Sequence, residues 1–346
     1  MENSVGLTIV IATYNACGLI EKTLDCLLKM EKVSGLPWEI LVVDNNSTDG
    51  TPEFVRSLWK DPSRLRILNE PNQGTGFAKF RGMIEAKYTY IGFVDQDNWV
   101  DSDWMLTAIK AIESASKAAV ICGRGMPVFG AEKPKWFDRY QQNYAVGRQA
   151  EKDGCVSDPN RFLYAAGSIL RKSAFDDLID LGFRPILQSR AGKQLLSGED
   201  TELQILLRLR GWEIHYQDDI SFRHYMPPQR LTRDYFIRFR KGLGASSVYL
   251  QIYRDFVKRT SGPQKDDQLN WFKLLLRSLW QCLRDPMAIA VSLFPRFTGN
   301  FRVAKYWLRL GELLERLRLG SKLHATQQKT STWLAQLSTG KIEVEN

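Results

Sequence analysis

In FVDQDNWV, residues 93–100, an apolar approach through Tyr90, Ile91, Phe93 and Val94 ends in two carboxylates, Asp95 and Asp97, with only Gln96 between them. Two such charges at one strand end repel each other unless a cation or a proton stands between them, so a positive partner is expected. An Asp-x-Asp at the carboxyl end of a strand can hold a hard divalent ion and, through it, a diphosphate. Two aspartates also serve to cap a following helix. Spacing alone leaves both readings open.

Three further stretches carry residues of a chemical kind. In DNNSTDGT, residues 44–51, Asp44 leaves a buried strand and can accept hydrogen bonds from a nucleobase or ribose; the same loop is rich in turn formers that cap a helix near Thr51. NEPNQGTGFAKFRG, residues 69–82, is glycine-rich with two cations, Lys79 and Arg81. It reads as an approach to a phosphate or base, or as a turn into a surface helix; it has neither P-loop lysine spacing nor the third glycine of a dinucleotide fingerprint. SGEDTELQILLRLRGW, residues 197–212, places Glu199 and Asp200 in the first turn of a helix ended by Gly211. The helix dipole favours negative charge there.

The elements that must position these residues alternate. LTIVIA (7–12), EILVVD (39–44), RLRIL (64–68) and YIGFVD read as strands, separated by helical patterns at 19–30, from Thr51, and from about Thr75 to Lys87. This rhythm predicts a mostly parallel sheet with helices on both faces. In such sheets ligands bind beyond the carboxyl ends of the strands, where Thr13, Tyr14, Asn15, Asp44 and Asp95–Asn98 all fall. A short strand is expected after Gly211, with His224 beyond it in SFRHYMP.

The chain has 346 residues, with 44% hydrophobic and 25% charged content, as in ordinary globular proteins. Five scattered cysteines show no zinc or disulfide spacing, and the three histidines leave oxygen ligands to dominate any metal site. The N-terminus has no basic n-region; reduced thiols and a cytoplasmic location are expected. Residues 225–346 hold 21 Lys and Arg against 9 Asp and Glu, leaving 27 against 30 for the rest. The helical patterns in that tail are rich in Trp and Arg, and PMAIAVSLFP between them is far too short to span a bilayer. They pack on the body, or else lie on an anionic membrane or a lipid-linked acceptor. Nucleic-acid binding finds no supporting pattern.

Taken together, IVIATYN, LVVDNNSTDGT, FVDQDN and SGEDTELQILLRLRGW resemble, in order and spacing over roughly residues 5–225, the inverting family 2 glycosyltransferases. The resemblance implies a GT-A fold, α/β and Rossmann-like, over residues 1–228, with a nucleotide-sugar half to about 100 and an acceptor half at 101–228. A basic helical extension would fill 229–346. It implies transfer from a nucleotide diphosphate sugar, UDP by default, to a glycan or lipid-linked acceptor, with Mg²⁺ or Mn²⁺ on the phosphates. Carried over by position, Thr13 and Asp44 contact the nucleoside, with Asn15 beside them; Lys79 supplies a cation and Asp95 faces the ribose or sugar. Asp97 holds the metal with His224 as a further ligand, Asp200 is the general base, and Gly198 and Glu199 lie on the acceptor side.

Several positions depart from the family pattern. Ala12 stands where proline is usual, Asn45 where many relatives carry a second Asp, and Phe80 where asparagine is common. The processive synthases' Gln-x-x-Arg-Trp is absent at its expected place, which points to single additions. The competing classes are a non-catalytic nucleotide-sugar binder of the same fold, and a nucleotidyltransferase, whose glycine-rich N-terminal loop IVIATYNA does not supply.

Overall fold

A computed structural model describes residues 5–30, 35–59, 61–187, 195–260, 271–320 and 322–339. In the first part of the chain β1 (Leu7–Thr13), α1 (Ile20–Met30), β2 (Trp38–Asp44), α2 (Thr51–Leu58), β3 (Leu65–Asn69), α3 (Thr75–Glu85) and β4 (Tyr90–Phe93) alternate. Then come β5 (Asn98–Val100), α4 (Trp104–Ser114), β6 (Ala118–Phe129), α5 (Phe137–Tyr140), β7 (Gly154–Cys155), β8 (Ile169–Arg171), α6 (Lys172–Asp180), α7 (Glu199–Leu209) and β9 (Glu213–Met226). The chain finishes in helices α8 (Arg233–Thr260), α9 (Trp271–Leu283), α10 (Pro286–Ser292), α11 (Phe301–Leu319) and α12 (Lys322–Thr339).

Among the described residues nine strands form one sheet, ordered β3-β2-β1-β4-β8-β6-β9-β5, with β7 against β9. The pairings make β1, β2, β3, β4, β6 and β9 point one way and β5, β7 and β8 the other. The continuous apolar runs of β1 and β2 follow from burial on both faces. Leu7, Ile9 and Ile11 join Trp38, Ile40 and Val42 in a core under α1, α2 and α4. Val10, Leu41 and Val43, on the opposite face, pack with Ala78, Phe175 and Leu206 under α3, α6 and α7.

Parallel register brings the polar strand ends to one rim, with Thr13 opposite Asp44 and Val10 opposite Phe93. The strand after Gly211 is not short. It runs 14 residues because it has three partners: β6 in parallel, and β5 and β7 in antiparallel pairing. Its tertiary neighbours, not its local sequence, set its length.

The helical tail is held by close backbone contact. A Cβ added at Gly244 of α8 would lie 1.8 Å from the Leu308 carbonyl oxygen, and one at Gly311 of α11 would lie 2.0 Å from that of Lys241. Only glycine lets the two helices cross at this distance. Among the described residues no helix is long and apolar enough to cross a membrane.

Candidate active site

The β5–β9 pairing places the Asp-x-Asp turn. Asn98 stands opposite His224, and the Tyr225 N–H donates to the Asp97 carbonyl at 2.9 Å. Asp97 is therefore buried against His224, whose Nε2 lies 3.4 Å from Asp97 Oδ1. Gln96 ties the turn to β1: its side-chain oxygen accepts from the Thr13 hydroxyl at 3.0 Å and the Tyr14 N–H at 3.1 Å. Its backbone carbonyl accepts from Thr23 at 2.9 Å.

The cation expected for the two aspartates is supplied first by the protein itself. Lys79 Nζ of α3 stands 3.8 Å from Asp95, 3.6 Å from Glu199 and 3.8 Å from Asp200. Arg230 Nη1 stands 2.8 Å from Asp97 Oδ2 and 3.2 Å from His224 Nε2. Burial works against the charge on Arg230, but Asp97, with lesser help from nearby groups, outweighs it and raises its pKa. Arg230 was not among the residues singled out from sequence. The available signal was a lone cation six positions after His224, in PPQR, just beyond the last strand of the sheet.

Asp97 and His224 also suit a divalent ion. A carboxylate oxygen and an imidazole nitrogen 3.4 Å apart can both reach an ion whose ligand distances are about 2.1 Å. Arg230 already holds the Asp97 carboxylate and His224 Nε2, so an ion ligated by these two groups would have to displace its guanidinium. The one cluster of three metal-ligating side chains found among the described residues lies elsewhere, at Cys155, Glu213 and His215 on β7 and β9, and none of the three lines the cleft described below.

On the opposite wall Gly198, at φ 122°, opens α7; a side chain there would also press on Leu187 and Leu250. This turn aims Glu199 and Asp200 at Lys79. Asp200 Oδ2 accepts from the Ala165 N–H at 3.0 Å, and Gln204 fixes that loop by both donating to and accepting from the Leu163 backbone, at 2.6 and 3.0 Å. Burial pushes Asp200 up to about 6; Lys79 and the Ala165 N–H oppose the rise, while Glu199 and Asp95 add to it. Further along the same helix, buried Glu202 accepts from the Ile186 and Leu187 N–H groups and the Tyr253 hydroxyl, which locks α7 to α8.

A cleft of about 830 Å³ joins these walls. Thr13, Lys79, Asp95, Asp97, Gly198, Glu199, Asp200 and His224 line it; Asn15 and Asp44 do not. Asn15 is bound into the next loop, its N–H donating to Ser47 Oγ at 2.9 Å and its side-chain oxygen accepting from the Thr48 N–H at 2.8 Å. Asp44 is buried behind the rim with Oδ2 accepting from the Ser47 N–H at 3.1 Å and Oδ1 without a hydrogen-bond partner. The cleft also takes in α8 and α11, through Arg240, Ser247, Arg254 and Leu308.

The departures noted in the sequence have local reasons. Asn45 donates to the Glu70 and Asn72 carbonyls at 2.9 and 2.6 Å and accepts from the Gly74 N–H at 2.6 Å. A carboxylate could not make the two donated bonds. Phe80 packs edge-on against Phe175 and Phe183, an apolar role in place of a polar one.

Residues 8–179, which include the strand ends of this cleft, match glycosyl transferase family 2. The chain belongs to that family. It is 31% identical over 117 residues to the uncharacterized glycosyltransferase EpsJ of Bacillus subtilis, a match covering 34% of this chain and 33% of the relative. The chain thus spans about a third of that relative's length. Its fold is GT-A with added C-terminal helices. S. aureus TarS 1–349 in complex with UDP-GlcNAc superposes with TM-score 0.52 at 15% identity, over 97% of this chain and 91% of TarS. The mannosyltransferase PcManGT of Pyrobaculum calidifontis, in complex with GDP-Man and Mn²⁺, gives 0.51 at 17%, over 97% and 86%.

Proposed function

We propose that this chain is an inverting, metal-assisted glycosyltransferase that moves a sugar from a nucleoside diphosphate sugar to a hydroxyl of a glycan or lipid-linked acceptor in polysaccharide biosynthesis. The observation that carries this reading is that Asp97 and Asp200, far apart in sequence, line one cleft with Lys79 between their walls. The catalytic domain would span residues 1–228, a donor half to about 100 and an acceptor half beyond, with 229–346 as its extension. The UDP and GDP sugars bound by TarS and PcManGT support the donor class; UDP is the default.

Asp97 and His224 would hold Mg²⁺ or Mn²⁺, which when bound neutralises a diphosphate leaving group. Asp95 and Lys79 face the donor, with Thr13 towards the nucleoside and Asn15 and Asp44 shaping the loop behind it. Asp200, its proton affinity raised to about 6, is ionised at neutral pH yet basic enough to take the acceptor proton as the new bond forms. Attack from its side, opposite the leaving group, inverts the anomeric centre. Gly198 and Glu199 shape the acceptor side.

The test is a panel of nucleotide sugars offered with Mn²⁺ to the wild type, Asp97→Ala and Asp200→Asn. Asp97→Ala is expected to weaken donor affinity, and Asp200→Asn to keep it while transfer falls about 10²- to 10⁴-fold. Undiminished turnover in Asp200→Asn removes the assigned base.

We further place the enzyme at the inner face of an anionic membrane. Of fourteen exposed large hydrophobic residues among those described, eleven lie between 272 and 317, including Trp280 at 61% and Leu293 at 74% exposure. Cations sit over these aromatics: Arg284 lies 5.2 Å from the Trp280 ring and Lys305 5.6 Å from that of Phe301. Apolar side chains capped by cations suit the headgroup boundary of an anionic bilayer. Cosedimentation with phosphatidylglycerol vesicles should fall sharply in Trp280→Glu/Leu293→Glu, and equal pelleting of this variant and the wild type rejects the placement.

A further inference from the structure

The cleft holds five Lys and Arg side chains, Lys79, Arg161, Arg230, Arg240 and Arg254, and four carboxylates, Asp95, Asp97, Glu199 and Asp200. These sort unevenly. Lys79 and Arg230 take all four carboxylates. Arg161, Arg240 and Arg254 form no ion pair with any described residue.

Their surroundings orient these guanidinium groups without neutralising them. Arg240 donates through Nε to the Ala304 carbonyl at 3.2 Å and through Nη1 to the Asn143 side-chain oxygen at 3.3 Å, and lies over the Tyr140 ring at 5.4 Å. Arg161 donates through Nε to the Gln149 carbonyl at 2.7 Å. Arg254, more exposed, stands 5.8 Å from the Phe162 ring, with Asp255 acting on it from beyond ion-pair contact. Burial lowers the proton affinity of Arg240, and no carboxylate contact restores it.

Arg240, Leu243, Ser247, Leu250 and Arg254 follow one another at three- and four-residue steps, so they form a single stripe of α8, and all line the cleft. Fourteen residues of helix place its two arginines about 21 Å apart along the axis. A cationic wall of that length exceeds what one diphosphate needs. Arginine's planar fork matches phosphate oxygens two at a time.

We propose that the α8 wall, through Arg240 and Arg254 with Arg161 beside them, is an acceptor subsite for a phosphate ester or diphosphate carried by the sugar acceptor. This deepens the glycosyltransferase reading and rests on it: the donor occupies the strand ends, and the acceptor lies along α8 with its hydroxyl towards Asp200 and its anionic group on the arginines. The anion has two sources, a phosphorylated soluble sugar or a lipid diphosphate, which share the recognised chemistry.

The experiment is calorimetric titration of the full chain, saturated with UDP and Mn²⁺, using glucose 1-phosphate in one arm and farnesyl diphosphate in the other. Methyl glucoside and farnesol are the neutral counterparts. At least one phosphorylated probe is expected to bind about tenfold or more above its counterpart, and to lose about tenfold in Arg240→Gln and in Arg254→Gln, while UDP affinity and the melting temperature stay put. Arg254→Lys and Arg240→Lys should retain part of the affinity, which guards against misfolding as the cause. Preference for farnesyl diphosphate assigns the acceptor to a lipid carrier, and preference for glucose 1-phosphate assigns it to a soluble glycan. Equal binding of charged and neutral probes, indifference to both arginine substitutions, or expulsion of the probe by UDP overturns the proposal. Failure to bind any nucleotide would instead strike the donor reading, and titration without UDP still reads the α8 wall by itself.

Discussion

At the strand ends and the start of α7 each cleft carboxylate has a cation of the protein within 3.8 Å, whereas the arginines of α8 face the same space without a carboxylate partner. The strand-end region is closed electrostatically: its charges compensate one another and hold geometry. The helical wall is left open, with charge in excess. The proposed transfer, which grips a metal diphosphate and then admits a second substrate, needs both conditions, and here they come from different parts of the chain.

The sharpest way to break this contrast is to open the closed half. Lys79→Met removes the cation that lowers the pKa of Asp200, so this proposed base moves upward from about 6 and is more protonated at neutral pH. The acid limb of the transfer rate should move to higher pH, with a loss of about tenfold or more at pH 7 and partial recovery at pH 9, since raising a pKa by about one changes the protonation equilibrium tenfold. A pH–rate profile unchanged in position would show that Lys79 does not tune Asp200. A smaller effect is expected in the helical half. Gly311→Ala forces a methyl group onto the Lys241 carbonyl and should destabilise the α8–α11 crossing by about 1–3 kcal/mol, read by urea unfolding. UDP affinity should be unchanged; a parallel fall would tie the tail to the donor half more closely than the contacts imply.

Much of the sheet region was legible because its signals are local. Strands bounded by turn formers, and carboxylates at their ends, announce themselves within a few residues, and β1, β2 and β4 lie where the apolar runs predict. The length of β9 was not legible, since it depends on three partners distant in sequence. Arg230 was missed for the same reason: nothing near PPQR reports that β5–β9 pairing will bring Asp97 to it. Asp44 and Asn15 were legible as rim residues, but their position behind the cleft lining depends on the Ser47–Thr48 loop folding over them. The α8 wall was not legible, because arginines spaced along a helix carry no local sign of which cavity they will line.

Gln96 has a wider consequence. Pattern searches treat the central position of Asp-x-Asp as arbitrary, yet here its amide oxygen is shared by the Thr13 hydroxyl and the Tyr14 N–H. The residue between the aspartates thus acts as a splice joining two neighbouring strand tips, and variation at that letter should track variation at the end of the first strand more than variation at the two aspartates.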